Sequence, residues 1–310
     1  MLTLTSPAAT PPVVDRLPQA ILKTVLYADI FDYPLSLGEL HHYLIGANAT
    51  LAEVRSALAS DGLRARLICR HGYYALRDRP GLVPERLRRR ERSARLWRRV
   101  RAWSRWLGAV PFVRMVAVTG ALAMDNAPAD DDDVDVLLVT RPGRVWLARA
   151  LSLVLVVAGR LTGLRLCPNY VLSSAALEQA PRDLYIAHEL AQMVPLSGRD
   201  WYAALRAANA WTHAYLPQAG QPWRAEAELA PGGLARGLQR LGEWLLGGAL
   251  GDALERWEQA RKQRKFQPAA RGAAAARLDA DHVKGHFDDH GGPILAAYRR
   301  RVEQHLEARA

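Results

Sequence analysis

The sequence predicts an α+β (α/β) fold: a mixed sheet near the middle of the chain, with helix-rich regions before and after it. Three observations carry this. Apolar runs of strand length occur at 113–118, 134–140 and 164–173, and a helix-length apolar segment, 145–159, lies between the last two. Helix-start signals crowd the first third, where Ser36 is followed by Glu39 and Thr50 by Glu53. Half of the 310 residues are hydrophobic, enough for a sizeable core.

The first element justified in this way is a helix over 18–31, preceded by a flexible terminus at 1–17. A second helix follows Ser36 and a third follows Thr50, ended by Asp61-Gly62. "RARLICRHGYYALRD" then reads as two short strands around His71-Gly72. Three helices and a hairpin over 18–82 resemble a winged helix-turn-helix domain in order and spacing. His41 and His42 fall on its second helix, where a surface position is expected.

Next comes a basic linker helix over 83–107, with Pro84 suited to its first turn. Ten arginines lie between Arg86 and Arg105, alongside an apolar stripe that includes Leu96, Trp97 and Val100. Two readings stand: a connecting helix with a solvated basic face, or a surface that tracks a nucleic-acid backbone. The formal charge of +11 favours anionic partners without choosing among them.

The central region, 108–200, holds the three strands and the helix after Val145. Arg149 and Arg160 confine that helix's uncharged run to well under the ~20 residues a membrane span needs, so no membrane insertion is expected. Beyond it, 201–310 is expected to be helical, with Trp201, Trp211, Trp223, Trp244 and Trp257 as core anchors and 267–280 as a surface segment. Cys69 and Cys167 form no paired motif, no basic-then-apolar leader opens the chain, and a cytoplasmic setting is expected. Cys167 follows an apolar strand and reads as core.

The most unusual stretch is "TGALAMDNAPADDDDVDVLLVT", Thr119 to Thr140, with five aspartates in six positions leading into a strand. The two-residue period of a strand places Asp133 and Asp135 on one face, about 7 Å apart, with Val134 and Val136 turned to the core. Such a pair calls for a cation, and Mg²⁺ takes hard oxygen ligands from one or two carboxylates plus substrate phosphates. Gly120, at the end of the preceding strand, lets backbone approach a phosphate closely.

Gly120-Ala121, an eleven-residue spacer (122–132), and then Asp133-x-Asp135 on the next strand resemble the signature of the DNA polymerase β-like nucleotidyltransferase superfamily. The resemblance implies a polymerase β-like core. It also implies transfer of a nucleoside monophosphate from an NTP to an acceptor hydroxyl. Asp133 and Asp135 would bind magnesium, and Thr119, Gly120 and Ala121 the nucleotide. Ala121 stands where the superfamily usually has serine or glycine, and Asn169 stands where a third carboxylate is common. Glu189 on a later helix is the substitute base. The alternative function is a non-catalytic, nucleotide-sensing regulator that binds nucleic acid through the winged helix and residues 86–105.

Two histidine groups remain. His282, His286 and His290 recur every four residues, yet the aspartates and Gly291-Gly292-Pro293 around them indicate a polar helix end or loop rather than a zinc site. His188 beside Glu189 is open to either a packed core position or a site role.

Overall fold

The computed structural model describes residues 13–224, 226–270, 278–284 and 290–307. It begins with helix α1 (Val13–Asp29), which starts before Pro18 and carries it in its interior. Strand β1 (Leu35–Ser36) leads into α2 (Leu37–His42), and α3 (Leu51–Leu58) follows. Both capping boxes are formed: the Ser36 and Thr50 side chains accept from the amides of Glu39 and Glu53, whose carboxylates return to the cap residues. Asp61-Gly62 opens one further short turn, α4 (Asp61–Arg64), rather than ending the third helix. Strands β2 (Leu67–Arg70) and β3 (Tyr73–Leu76) are joined through His71 and Gly72, both at positive φ, as a tight hairpin requires. With β1 they make a three-stranded antiparallel sheet.

Helix α5 (Leu82–Gly108) connects this unit to a five-stranded sheet. Its strands are β4 (Val113–Val118), β5 (Val134–Thr140), β6 (Leu166–Ser173), β7 (Val194–Ser197) and β8 (His282–Lys284), in the order β7-β4-β5-β6-β8. β4 pairs antiparallel with β5, and β5 pairs parallel with β6, the crossover being α7 (Val145–Leu161). The sheet is thus mixed and the architecture α+β. Neither β8 nor its pairing with β6 was expected in the mostly helical region 201–310: three residues flanked by polar sequence carry no strand period that could be read locally.

Both faces of the sheet are covered, which explains the near-continuous apolar strands. On one face Val116, Val118, Val134, Val136 and Val171 pack with Leu96 and Trp97 of α5 and Trp146 of α7. On the other, Met115, Ala117, Leu137 and Val139 meet Ile186 and Leu190 of α8 (Leu184–Gln192) and Tyr202 and Leu205 of α9 (Arg199–Ala208). Asp135 shares the second face with Leu137 and Val139, as the strand period dictates.

The carboxy-terminal helices α10 (Gly233–Leu245), α11 (Ala249–Ala270) and α12 (Gly291–Val302) wrap this core. Glu255 of α11 accepts from the amides of Trp146 (3.0 Å) and Leu147 (2.7 Å), satisfying the first turn of α7 from outside the helix. Tyr298 and Val302 of α12 pack on the amino-terminal unit, and Arg301 reaches Asp29 at 3.0 Å. Two of the expected tryptophan anchors are not anchors: Trp244 and Trp257 are largely exposed, and Trp223 is also in contact with solvent.

Candidate functional site

A cavity of about 730 Å³ opens where the amino-terminal unit, the sheet, α8 and α12 meet. Its floor is the turn from β4 into the short helix α6 (Gly120–Ala123). Gly120 has φ +65°, and a Cβ there would lie 2.5 Å from Oδ2 of Asp135. The glycine is required twice, by its left-handed backbone and by the carboxylate pressed against it. The Thr119 amide donates to the Asp135 carbonyl at 3.0 Å and ties the two strands together at this point.

Thr119, Gly120, Ala121, Asp135 and Glu189 all line the cavity, as does Asn169. Asn169 arrives there through a β-bulge. Asp135 opposes Cys167 and Leu137 opposes Tyr170, so β6 carries one residue more than β5 over this step. That extra residue turns both Asn169 and Tyr170 toward the cavity, where strict alternation would send one of them away.

Asp133 is placed differently from its sequence-based expectation. β5 begins at Val134, whose amide bonds to Arg165 O at 2.7 Å, so Asp133 precedes the ladder instead of lying in it. Its side chain is 63% exposed and 4.0 Å from the Arg165 guanidinium, and it is not among the cavity-lining residues. Asp132, partly covered, has its carboxyl pushed up, first by burial and then by the charges of Asp133, Asp135 and Asp131. Of the acidic run only Asp135 lines the cavity, while Asp130 pairs with Arg95 and Asp131 and Asp133 lie near Arg165. Among the described residues, no group of three or more His, Cys, Asp or Glu is positioned to hold a metal ion.

The other walls were not legible as site residues. Tyr27, Phe31, Tyr33 and Tyr43 come from the amino-terminal unit, Tyr185 from α8, and Lys284 from β8. The charged side chains on the wall are Asp135, Asp183, Glu189, Arg89 and Lys284, of which Asp183 caps α8 by accepting from the Ile186 amide at 2.9 Å. Burial, reinforced by the Glu189 carboxylate, holds the Tyr27 phenol well above the usual range and so neutral.

His188 occupies the back of the cavity, buried and stacked on Tyr27 with ring centroids 3.9 Å apart, and it donates from Nδ1 to Leu184 O at 2.9 Å. Burial lowers its pKa from 6.5 to about 4, so the ring is neutral in the fold. The unfolded chain binds a proton more readily than the folded one. The histidine's contribution is therefore complete above pH 6.5 and is lost as pH falls toward 4. His188→Phe should remove this pH dependence: between those limits the wild type should lose about 3 kcal/mol more stability than the variant, measured by denaturant unfolding.

The remaining candidates separate. Cys167 has its thiol pushed up to about 11 by burial and by Asp135 and Asp133, and is unsuited to act as a nucleophile. His282 is buried on β8, its Nδ1 3.0 Å from Asp279 Oδ1, which corrects the expected helix end or loop. His290 lines the cavity, and His286 lies outside the described residues. His41 and His42 are half-buried rather than on the surface, and burial lowers His42 to about 4.

The basic helix is largely occupied within the molecule. Arg86 is buried against Glu39, Arg95 pairs with Asp130, Arg101 with Glu226, and Arg88, Arg89 and Arg92 all reach Glu85. Arg99 donates to Thr162 O at 2.7 Å. The arginine run is thereby interrupted by ion pairs and caps, while Arg98 and Arg105 remain exposed.

No family model, no curated protein and no solved structure matches the chain.

Proposed function

We propose that the chain is a magnesium-dependent nucleotidyltransferase that moves a nucleoside monophosphate from an NTP to an acceptor hydroxyl within this cavity. The observation that carries the reading is the seating of Gly120 against Asp135 at the cavity floor. The superfamily pattern sets a glycine after one strand and aspartates on the next, and here Gly120 and Asp135 of those positions are in contact. The antiparallel β4–β5 and parallel β5–β6 pairings support the same reading, because they set Gly120, Asp135 and the β6 bulge side by side.

The residues present fit magnesium. The Asp135 carboxylate occupies the place a Cβ at position 120 would take, and it presents hard oxygen donors at the cavity wall. Asp135 would hold the ion from the cavity wall. Asp133, largely exposed and outside the lining, would have to leave Arg165 to reach the ion. When bound, magnesium supplies charge neutralisation on the triphosphate.

The chain's own groups supply the rest. Gly120 admits a phosphate close to the backbone, and the aromatic walls exclude water from the reacting atoms. Glu189, on α8, takes the proton of the acceptor hydroxyl. An oxygen–phosphorus bond forms at the α-phosphorus, the α–β anhydride bond breaks, and pyrophosphate leaves. The regulator reading keeps fewer free arginines than the sequence suggested, since Arg86, Arg95 and Arg101 are paired within the molecule while Arg98 and Arg105 stay exposed.

Calorimetric titration with each NTP tests the reading. Binding should require Mg²⁺ and should weaken at least about tenfold in Asp135→Asn, the loss of one charged ligand to the ion. Binding that ignores both the metal and the substitution would assign Asp135 a purely structural role.

A further inference from the structure

Helix α10 is attached to the protein by its polar side. Gln239 donates to the carbonyls of Gly108 (3.0 Å), Val110 (3.3 Å) and Val113 (3.2 Å). Glu243 accepts from the Phe112 amide (2.8 Å) and pairs with Arg114 at 2.7 Å. Gly242 faces Pro111, where a Cβ would be only 2.5 Å from the ring. The opposite side of the helix is apolar and faces solvent: Leu234, Leu238, Leu241, Trp244 and Leu245 are each more than half exposed. At 100° per residue the four leucines form one stripe, with Trp244 at its margin. An ordinary surface helix is arranged the other way, with its apolar side on the core.

The acids of α10 and α11 are all engaged within the protein. Residues 233–265 contain four: Glu243 is tied to Arg114, Asp252 to Arg144, Glu255 to the α7 amides and Glu258 to Arg261. Arg236 and Arg240 stay exposed and run in an i, i+4 line toward Trp244. A second copy of a chain carrying +11 would bring like charge against like charge, whereas an anionic surface complements it.

We propose that α10 is a peripheral membrane anchor, which lays its leucine stripe and Trp244 into the headgroup region of an anionic bilayer while Arg236 and Arg240 meet lipid phosphates. Leucine and tryptophan on one side with exposed arginines on the polar side is the make-up of helices that lie in the interface plane. The anchor does not span, and no described helix is long and apolar enough to cross a membrane. It is independent of the chemistry in the cavity.

Vesicle flotation with the full chain is the test. Wild-type protein should float with vesicles containing about one-third phosphatidylglycerol in phosphatidylcholine, and far less with phosphatidylcholine alone. Leu238→Gln/Leu241→Gln should reduce partitioning at least about tenfold. Both side chains are exposed, so an unchanged thermal midpoint certifies the fold, and Trp244→Ser provides a second variant. Failure to float with anionic vesicles, or equal flotation of the variants, would overturn the proposal. So would a wild-type dimer in light scattering that the substitutions convert to monomer, since a second copy would then cover the stripe.

Discussion

Arg86→Met is expected to destabilise the protein by about 3–5 kcal/mol, the cost of leaving one member of a buried ion pair without its partner. Arg86 is 3% exposed and donates to Glu39 (3.1 Å), to the Tyr33 hydroxyl (2.7 Å) and to Asp125 O (2.8 Å). Glu39 is itself buried, accepts from Tyr33 at 2.5 Å, and closes the capping box of α2. Removing the guanidinium leaves that buried carboxylate without its counter-charge, with only the Tyr33 hydroxyl and the Ser36 cap groups as partners. Adding Glu39→Gln to Arg86→Met should restore much of the loss, because glutamine can keep the cap without the charge. Denaturant titration of the two single variants and the double variant measures the coupling. Independent, additive losses would show that the pair does not act as a unit.

Gly120→Ala is expected to damage the site more than the fold. A left-handed backbone costs a non-glycine residue about 1–2 kcal/mol, and the new methyl must displace the Asp135 carboxylate, which would be 2.5 Å away. The stability loss should stay near that figure while Mg²⁺–NTP binding weakens by tenfold or more. Gly198→Ala is the matched control. Gly198 also has positive φ (+75°), but its Cβ would run into the Arg114 backbone, which cannot move aside as a carboxylate can. That variant should lose more stability than Gly120→Ala. Equal effects of the two on nucleotide binding would mean that Gly120 serves the fold alone.

The sequence was most informative where a local period or a local partner decides structure. The alternation through Val134, Val136 and Leu138 announced β5, and the Ser36/Glu39 and Thr50/Glu53 spacings announced two helix starts that the structure forms. It was least informative where distant residues decide. β8 exists because β6 offers an edge, and His282-Val283-Lys284 carries no strand signal by itself. Asp133 falls outside β5 because the ladder opens with the pairing of Val134, a register that local sequence does not specify.

The cavity shows the same division. Thr119, Gly120 and Asp135 could be read from one stretch of chain, whereas Tyr27, Tyr43 and Lys284 reach the same space from remote segments and looked like ordinary core or surface. For α10 the sequence offered only a helical region with its tryptophans as core anchors. Trp244 was therefore expected inside, and it lies outside because Gln239 and Glu243 make the attachment.

The most direct test of the nucleotidyltransferase reading is label transfer. The full chain would be incubated with each α-labelled NTP and Mg²⁺, with cellular RNA, DNA and small metabolites offered as acceptors, beside Asp135→Asn and Glu189→Gln. The account predicts covalent label on one acceptor class, pyrophosphate released in equal amount, and loss of both in Asp135→Asn. Transfer that persists undiminished in Asp135→Asn, or no transfer to any acceptor from a chain that binds Mg²⁺–NTP, would contradict it.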